Sequence, residues 1–240
     1  MDTIKVQGKG NIRMIAHRGV SGLERENTNA AFVAAGQRSY YGIETDVHVT
    51  KDGKFIVVHD DDLFRIAGIV GMTVEETEFE ALRAVRLTDL DGSPRLDLCL
   101  PSLEEYIGIC KKYDKQAILE LKNPMPKEKV WEIAELIKAM GWFERTTFIS
   151  FAGENLVYLR EKFASADAQF LTETCSEADV QFMAENKFDA DLCGYCVTPE
   201  LVARLHSLGM KVNVWTLDTL EHAELAKAVG VDFITTNILE

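Results

Sequence analysis

No run of apolar residues approaches the ~18 that a membrane-crossing helix needs. The opening Met1-Asp2-Thr3-Ile4-Lys5 lacks the basic-then-apolar order of a secretory leader. A soluble, cytoplasmic protein without stable membrane insertion is expected. Positive charge is also scarce: 26 Lys and Arg stand against 39 Asp and Glu, giving a formal net charge of -13. That field repels a nucleic-acid backbone or an anionic membrane, so neither is expected as a partner, although a local basic site for one phosphate is not excluded. Cysteine is limited to five scattered residues, an odd number that argues against a disulfide framework. Cys193-Gly194-Tyr195-Cys196 has the spacing of redox and zinc pairs. No second close pair of thiols exists, however, and Cys196 leads into Val197-Thr198-Pro199, a helix start, so free, partly buried thiols are expected. Nothing in the chain specifies an oligomeric state.

What the chain does have is length and apolar content: 240 residues, 47% hydrophobic, enough for one α/β barrel or two smaller domains. Short apolar strands alternate with amphipathic helices. Strands are expected at 12–16 and 43–49, with Asn27 capping the helix between them and the Asp52-Gly53 turn returning 55–58 as a hairpin arm. Residues 60–100 are irregular and acidic, with one helix near 77–86, and read as an insertion. Regular alternation then resumes. Helices are expected at 103–113, 127–140, 155–163, 177–186, 199–208 and 220–229, and strands at 117–121, 146–150, 168–171, 190–193, 211–215 and 233–235. Short strand–helix connections favour parallel pairing, and these strands with the first two close a (β/α)₈ TIM barrel as a single domain over 1–240. No eighth helix fits after Asn237, and 5–11 are expected to cover the barrel bottom.

Closure would gather residues far apart in sequence. Glu44 and Asp46 share one strand face because side-chain direction alternates, and Glu120 and Lys122 share another, as do Asn213 and Trp215. His17 follows the first strand and His59 ends the hairpin arm. Three carboxylates meeting at the C-terminal rim repel unless protonated or neutralised. A hard divalent ion, magnesium or calcium rather than zinc, is the economical counter-charge. His48 shares the parity of Glu44 and Asp46 and is expected to be a satisfied structural histidine. His206 and His222 are expected at the surface or in packing, and Asp60-Asp61-Asp62 as a solvated loop.

His17-Arg18-Gly19, Glu26-Asn27-Thr28, Glu44-Thr45-Asp46, Lys51-Asp52-Gly53, His59-Asp60, Glu120-Leu121-Lys122 and Trp215-Thr216 stand in an order that resembles the glycerophosphodiester phosphodiesterase family across nearly the whole chain. The resemblance implies hydrolysis of small glycerophosphodiesters to sn-glycerol 3-phosphate and an alcohol with a divalent ion, magnesium or calcium, with manganese as a further possibility. It places His17 and His59 as acid and base without saying which is which, and Glu44, Asp46 and Glu120 as ligands of the ion. Arg18 and Lys122 would bind phosphate, Trp215 would form a flat wall beside the substrate, Glu26 would contact the ion or, as the preferred reading, orient Arg18, and Asn27 would support the site unless it serves only as a helix cap. The attacking oxygen, from water or from the substrate's own hydroxyl, stays open. Arg25 stands where the family usually has proline, so a looser loop with an added positive charge is expected. Alternatives are a lysophospholipase D-like hydrolase, with Leu63, Phe64, Ile66, Ile69, Val70 and Met72 as an apolar wall, a metal-dependent sugar-phosphate isomerase or lyase, and a noncatalytic phosphate binder. The insertion is expected to fold over the rim and restrict access.

Overall fold

The computed structural model describes residues 2–240. Eight parallel strands close into a barrel: β1 (Arg13–Ala16), β2 (Gly42–Val49), β4 (Gln116–Leu121), β5 (Thr146–Ser150), β6 (Asp167–Thr172), β7 (Asp189–Cys193), β8 (Val212–Trp215) and β9 (Phe233–Thr236). Pairing of β1 with both β9 and β2 closes the ring, and β3 (Phe55–Val57) lies antiparallel on β2, as the Asp-Gly hairpin demands. The expected strand positions hold to within one or two residues. Such shifts are normal where only one or two hydrogen bonds define an end.

Helices α1 (Asn29–Gly36), α4 (Leu103–Lys112), α5 (Lys127–Ala139), α6 (Gly153–Lys162), α7 (Glu177–Asn186), α8 (Pro199–Ser207) and α9 (Leu220–Val229) surround the ring. Their starts follow capping chemistry. Ser102 and Ser176 form reciprocal boxes with Glu105 and Asp179, and Thr198 caps α8 with Pro199 in its first turn. The first helix departs from expectation: its cap is Thr28, whose hydroxyl accepts from Ala31 N at 3.2 Å, and not Asn27. Asn27 has φ +52° and a fully buried side chain, which frees its amide for the barrel interior.

The main core lies between strands and helices. A smaller one fills the barrel with Ile15, Ile118, Ile149, Leu171 and Phe233. Residues 238–240 run beside residues 4–6: Ile4 N donates to Ile238 O at 3.0 Å and Val6 N to Glu240 O at 2.7 Å. Ile4 to Val6 are thus tied to this tail, and at the N-terminal end of the barrel Arg13 lies over the rings of Tyr41 and Phe233.

Glu240 fastens the tail. Its carboxylate accepts from Ser39 N at 2.7 Å, Ser39 Oγ at 2.6 Å and Thr3 Oγ1 at 2.6 Å, and pairs with Lys5 Nζ at 2.7 Å. Burial alone would raise its pKa, but Lys5, Ser39 and Thr3 together hold it down at about 2. A depressed carboxyl adds stability that is complete above its ordinary value of 4.5 and is lost as pH falls toward 2. Glu240→Ala should therefore cost about 1–3 kcal/mol at pH 7 and almost nothing at pH 2, read by urea unfolding at both values. Equal losses at the two would contradict the ion-pair account.

Residues 56–100 build their own apolar cluster, with Ile56, Val58, Leu63, Ile66, Val74, Leu82, Leu87 and Leu98 buried. Two short helices, α2 (Phe64–Ala67) and α3 (Phe79–Ala84), lie in this segment, the second narrower than expected. Arg25 reaches it by donating to Thr88 O at 2.7 Å and Asp89 O at 2.6 Å, so this arginine ties the loop after β1 to the insertion instead of presenting free charge to a ligand. His48, fully buried, does the same from below, with Nδ1 3.1 Å from Glu75 Oε1.

Candidate active site

The strand ends converge as their parity demands. Glu44, Asp46 and Glu120 are buried, and one carboxylate oxygen from each lies within 4.8 Å of the others. Asp46 pairs with Glu120 across adjacent strands, while Glu44 lies one inward position deeper on β2. Burial and the Asp46 charge raise Glu44 well above its ordinary pKa and push Glu120 up to about 8. Burial would also raise Asp46, but Arg18, Lys122, His59 and the Asn27 hydrogen bond outweigh it, and Asp46 stays ionised far below the usual range. Asp46 Oδ1 is buried without a hydrogen-bond partner. An orphaned anionic oxygen facing two further carboxyls, all hard donors, suits a magnesium- or calcium-like cation.

The loop after β1 supplies the surrounding groups. Arg18 occupies φ +52°, which turns its main-chain N toward Glu44 Oε2 at 2.8 Å, and its guanidinium donates to Glu26 Oε1 at 2.8 Å. The next residue must be glycine, because at φ +77° a Cβ on Gly19 would stand 2.7 Å from the backbone of Ala31. Asn27 Nδ2 donates to Asp46 Oδ2 at 2.7 Å, while its Oδ1 accepts from Thr45 Oγ1 at 2.7 Å. It therefore fixes a carboxylate of the cluster. Lys122 Nζ stands 2.9 Å from Glu120 Oε1 and 3.7 Å from Asp46 Oδ1.

Each histidine has one nitrogen locked and one turned to the cavity. His17 Nδ1 lies 2.8 Å from Asn237 Oδ1, and Asn237 is oriented by its own Nδ2 donating to Asp218 Oδ2 at 2.6 Å. Its amide oxygen must then face His17, so Nδ1 carries the proton and Nε2 is the free base. Burial first, and Arg18 second, lower the His17 pKa to about 4. His59 Nδ1 lies 2.8 Å from Asp60 Oδ1, and burial lowers its pKa as well, with Asp46 opposing. Asp60 is held by Arg65 Nε at 2.6 Å, and Arg65 also clasps Glu26 at 2.7 and 2.9 Å. One guanidinium from the insertion thereby joins the partner of His59 to the partner of Arg18.

Several of these groups were not singled out from the sequence. Asp60 orients a histidine instead of lying in a solvated loop. Asp61 accepts from Asn123 Nδ2 at 2.9 Å, and Asp62 Oδ1 accepts from Phe64 N at 2.8 Å. The proximity of Asp60 to His59 and its five-residue spacing to Arg65 were the available signal. Asn237 and Asp218 had none, since the contact with His17 spans 220 residues. Trp215 stands at the rim with its ring edge-on to Phe151, centroids 5.7 Å apart. Cys193 and Cys196 are partly buried thiols.

His17, Arg18, Glu44, His59, Glu120 and Trp215 line one cavity of about 60 Å³ in the barrel mouth. Behind Trp215 lies a larger apolar cavity of about 370 Å³, walled by Val214, Leu217, Leu225 and Val229. Residues 17–240 match the glycerophosphoryl diester phosphodiesterase family. The chain belongs to that family. A glycerophosphodiester phosphodiesterase of Caldanaerobacter subterraneus subsp. tengcongensis is 29% identical over 93% of each chain. Two uncharacterized bacterial relatives, at 30% and 31% identity, are spanned over 60% of their length. Among solved structures, a glycerophosphodiester phosphodiesterase of Parabacteroides distasonis superposes with TM-score 0.78 at 30% identity, covering 96% of this chain and 94% of that one. An Oleispira antarctica phosphodiesterase in complex with the product sn-glycerol-3-phosphate shares the fold at TM-score 0.81 and 22% identity, over 94% and 92% of the two chains. The family barrel is thus the frame on which this member sets its carboxylates and histidines. Among the described residues no helix is long and apolar enough to cross a membrane.

Proposed function

We propose that this family member is a divalent-metal-dependent hydrolase of small glycerophosphodiesters, releasing sn-glycerol 3-phosphate and an alcohol in the cytoplasm. The observation that carries the reading is a cluster of three carboxylates, two of which, Glu44 and Glu120, line one cavity with two histidines, each with Nδ1 held by a separate acceptor. Glu44, Asp46 and Glu120 would hold the ion, magnesium or calcium, which would supply Lewis-acid neutralisation of the diester's charge. Arg18 and Lys122 bind phosphoryl oxygens, the first as a planar fork and the second as a point charge. Glu26 keeps the Arg18 fork aimed. His17, neutral at physiological pH, accepts at Nε2 the proton of the attacking hydroxyl, and His59, in its protonated form with Nδ1–H on Asp60, delivers the Nε2 proton to the departing alkoxide. The Trp215 ring, with Phe151 edge-on to it, forms an apolar wall beside the substrate. The insertion restricts access on the His59 side.

The small volume of the catalytic cavity favours a short polar substrate. Supporting this, Leu63 and Ile66 of the expected apolar wall are buried in the insertion's own core, though Phe64 and Val70 remain exposed. The product named for the Oleispira structure is also of this kind. The apolar cavity behind Trp215 is the observation that favours the second reading, an acylated glycerol as in lysophospholipase D-like enzymes. Choline release from glycerophosphocholine and from its acylated counterpart, each with magnesium, decides between them. Faster turnover of the unacylated diester is expected. A strong preference for the acylated one would replace the small-substrate reading, and no release from either would remove the activity.

A further inference from the structure

The floor of the catalytic cavity carries a carboxyl group that no step above uses. Asp191 extends inward from β7, 1% exposed, and lines the same cavity as His17, Glu44 and Glu120. Its hydrogen-bond partner in the protein is Asn213, whose Nδ2 donates to Asp191 Oδ1 at 2.7 Å and to Thr235 Oγ1 at 2.9 Å. The Thr235 hydroxyl also stands 3.2 Å from Asn213 Oδ1. Asn213 is thereby anchored across two strands and holds the carboxyl group in one orientation. A structural ring of this kind needs only Oδ1, and it leaves Oδ2 without a protein partner in a cavity whose floor is otherwise largely apolar, formed by Ile149 and Leu171.

We propose that Asp191 is a specificity-determining residue, binding the terminal hydroxyl of the substrate's glycerol moiety at the floor of the catalytic cavity. The inference rests on the proposed phosphodiesterase reading. Arg18, Lys122 and the carboxylate cluster draw the phosphate to the rim, so the part of the substrate that descends is whatever fits about 60 Å³. A three-carbon polyol fits there better than a choline or an acyl chain. A hydroxyl entering that space gives up water and must find a partner, and the apolar floor offers none apart from the Asp191–Thr235 side. Burial pushes the Asp191 carboxyl up to about 8, opposed by the Asn213 hydrogen bond. At neutral pH the group is therefore protonated. It can both donate to and accept from a hydroxyl without adding negative charge beneath a phosphodiester.

The test is calorimetric titration of magnesium-loaded protein with sn-glycerol 3-phosphate, with the phosphate of propane-1,2-diol, which lacks the terminal hydroxyl, and with inorganic phosphate. Wild-type protein should prefer glycerol 3-phosphate over the deoxy ligand by about tenfold. Asp191→Leu should erase that preference while leaving the affinity for inorganic phosphate within about twofold, and Asp191→Asn, which keeps a donor and an acceptor, should retain it. Equal weakening of all three ligands in Asp191→Leu would assign the residue to barrel structure and overturn the proposal. So would a wild type that does not distinguish the two glycol phosphates, a result that needs no variant to fold. Wild-type choline release from glycerophosphocholine is scored separately: its absence, with the hydroxyl preference intact, removes the hydrolase reading and not the Asp191 contact.

Discussion

Chelator-stripped protein should release no choline from glycerophosphocholine, and magnesium, calcium or manganese should restore turnover. The expectation rests on the state of the carboxylates. Without a cation, burial and mutual repulsion drive Glu44 and Glu120 toward their protonated forms, while Asp46 keeps its charge beside Arg18 and Lys122. Binding a divalent ion replaces those protons, so uptake must release them. Because Glu120 is pushed up to about 8, protons compete with the ion below that pH, and affinity should rise as pH approaches 8. Calorimetry in two buffers of different ionisation enthalpy counts the protons. The ion should also raise the unfolding midpoint, by about 2.7 kcal/mol of stability at a hundredfold excess over Kd. Glu120→Gln and Asp46→Asn should each reproduce the loss of turnover. Full activity in chelator, with metal absence verified by elemental analysis, would exclude the mechanism.

Replacing either histidine by alanine should lower kcat by two powers of ten or more and leave the unfolding midpoint nearly unchanged. Neither side chain packs in an apolar cluster. Each sits in the cavity wall with a single nitrogen bound to a group that is itself held, Asn237 by Asp218 and Asp60 by Arg65. The preorganised ring orientation is what the reaction uses, so loss should appear in kcat more than in KM. The two variants should also differ. His17→Ala removes a group that is neutral down to a pH of about 4 and should abolish attack on any diester. His59→Ala should be milder on a substrate such as bis(p-nitrophenyl) phosphate, whose leaving group needs no proton. Near-normal turnover by both variants on glycerophosphocholine would withdraw the acid and base assignments.

Much of this geometry follows from short-range rules. Parity on β2 places Glu44 and Asp46 on one face whatever surrounds them, and apolar alternation with capped helices prescribes strand order and closure. The barrel, the carboxylate cluster and the two rim histidines were therefore legible in the chain. Asn27 was legible as a supporting residue of the site, and only its second reading, as the helix cap, fails. Asparagine and threonine both cap helices, and only the left-handed backbone at Asn27 shows that its amide turns inward to Asp46 while Thr28 takes the helix start.

The sequence alone determined what depends on local period and residue chemistry: the (β/α)₈ order, the hairpin arm, and the carboxyl, imidazole and cationic side chains presented at strand ends. Tertiary structure decided what those groups touch. The partner of His17 lies 220 residues away, Arg65 bridges Asp60 to Glu26 from a segment that read as irregular, and Arg25 turns to the insertion instead of the phosphate. Hydrogen bonds between loops depend on distances of a few ångströms across separate strands. No local periodicity encodes those distances, because they arise only once the ring has closed and burial has made each unpaired polar group costly.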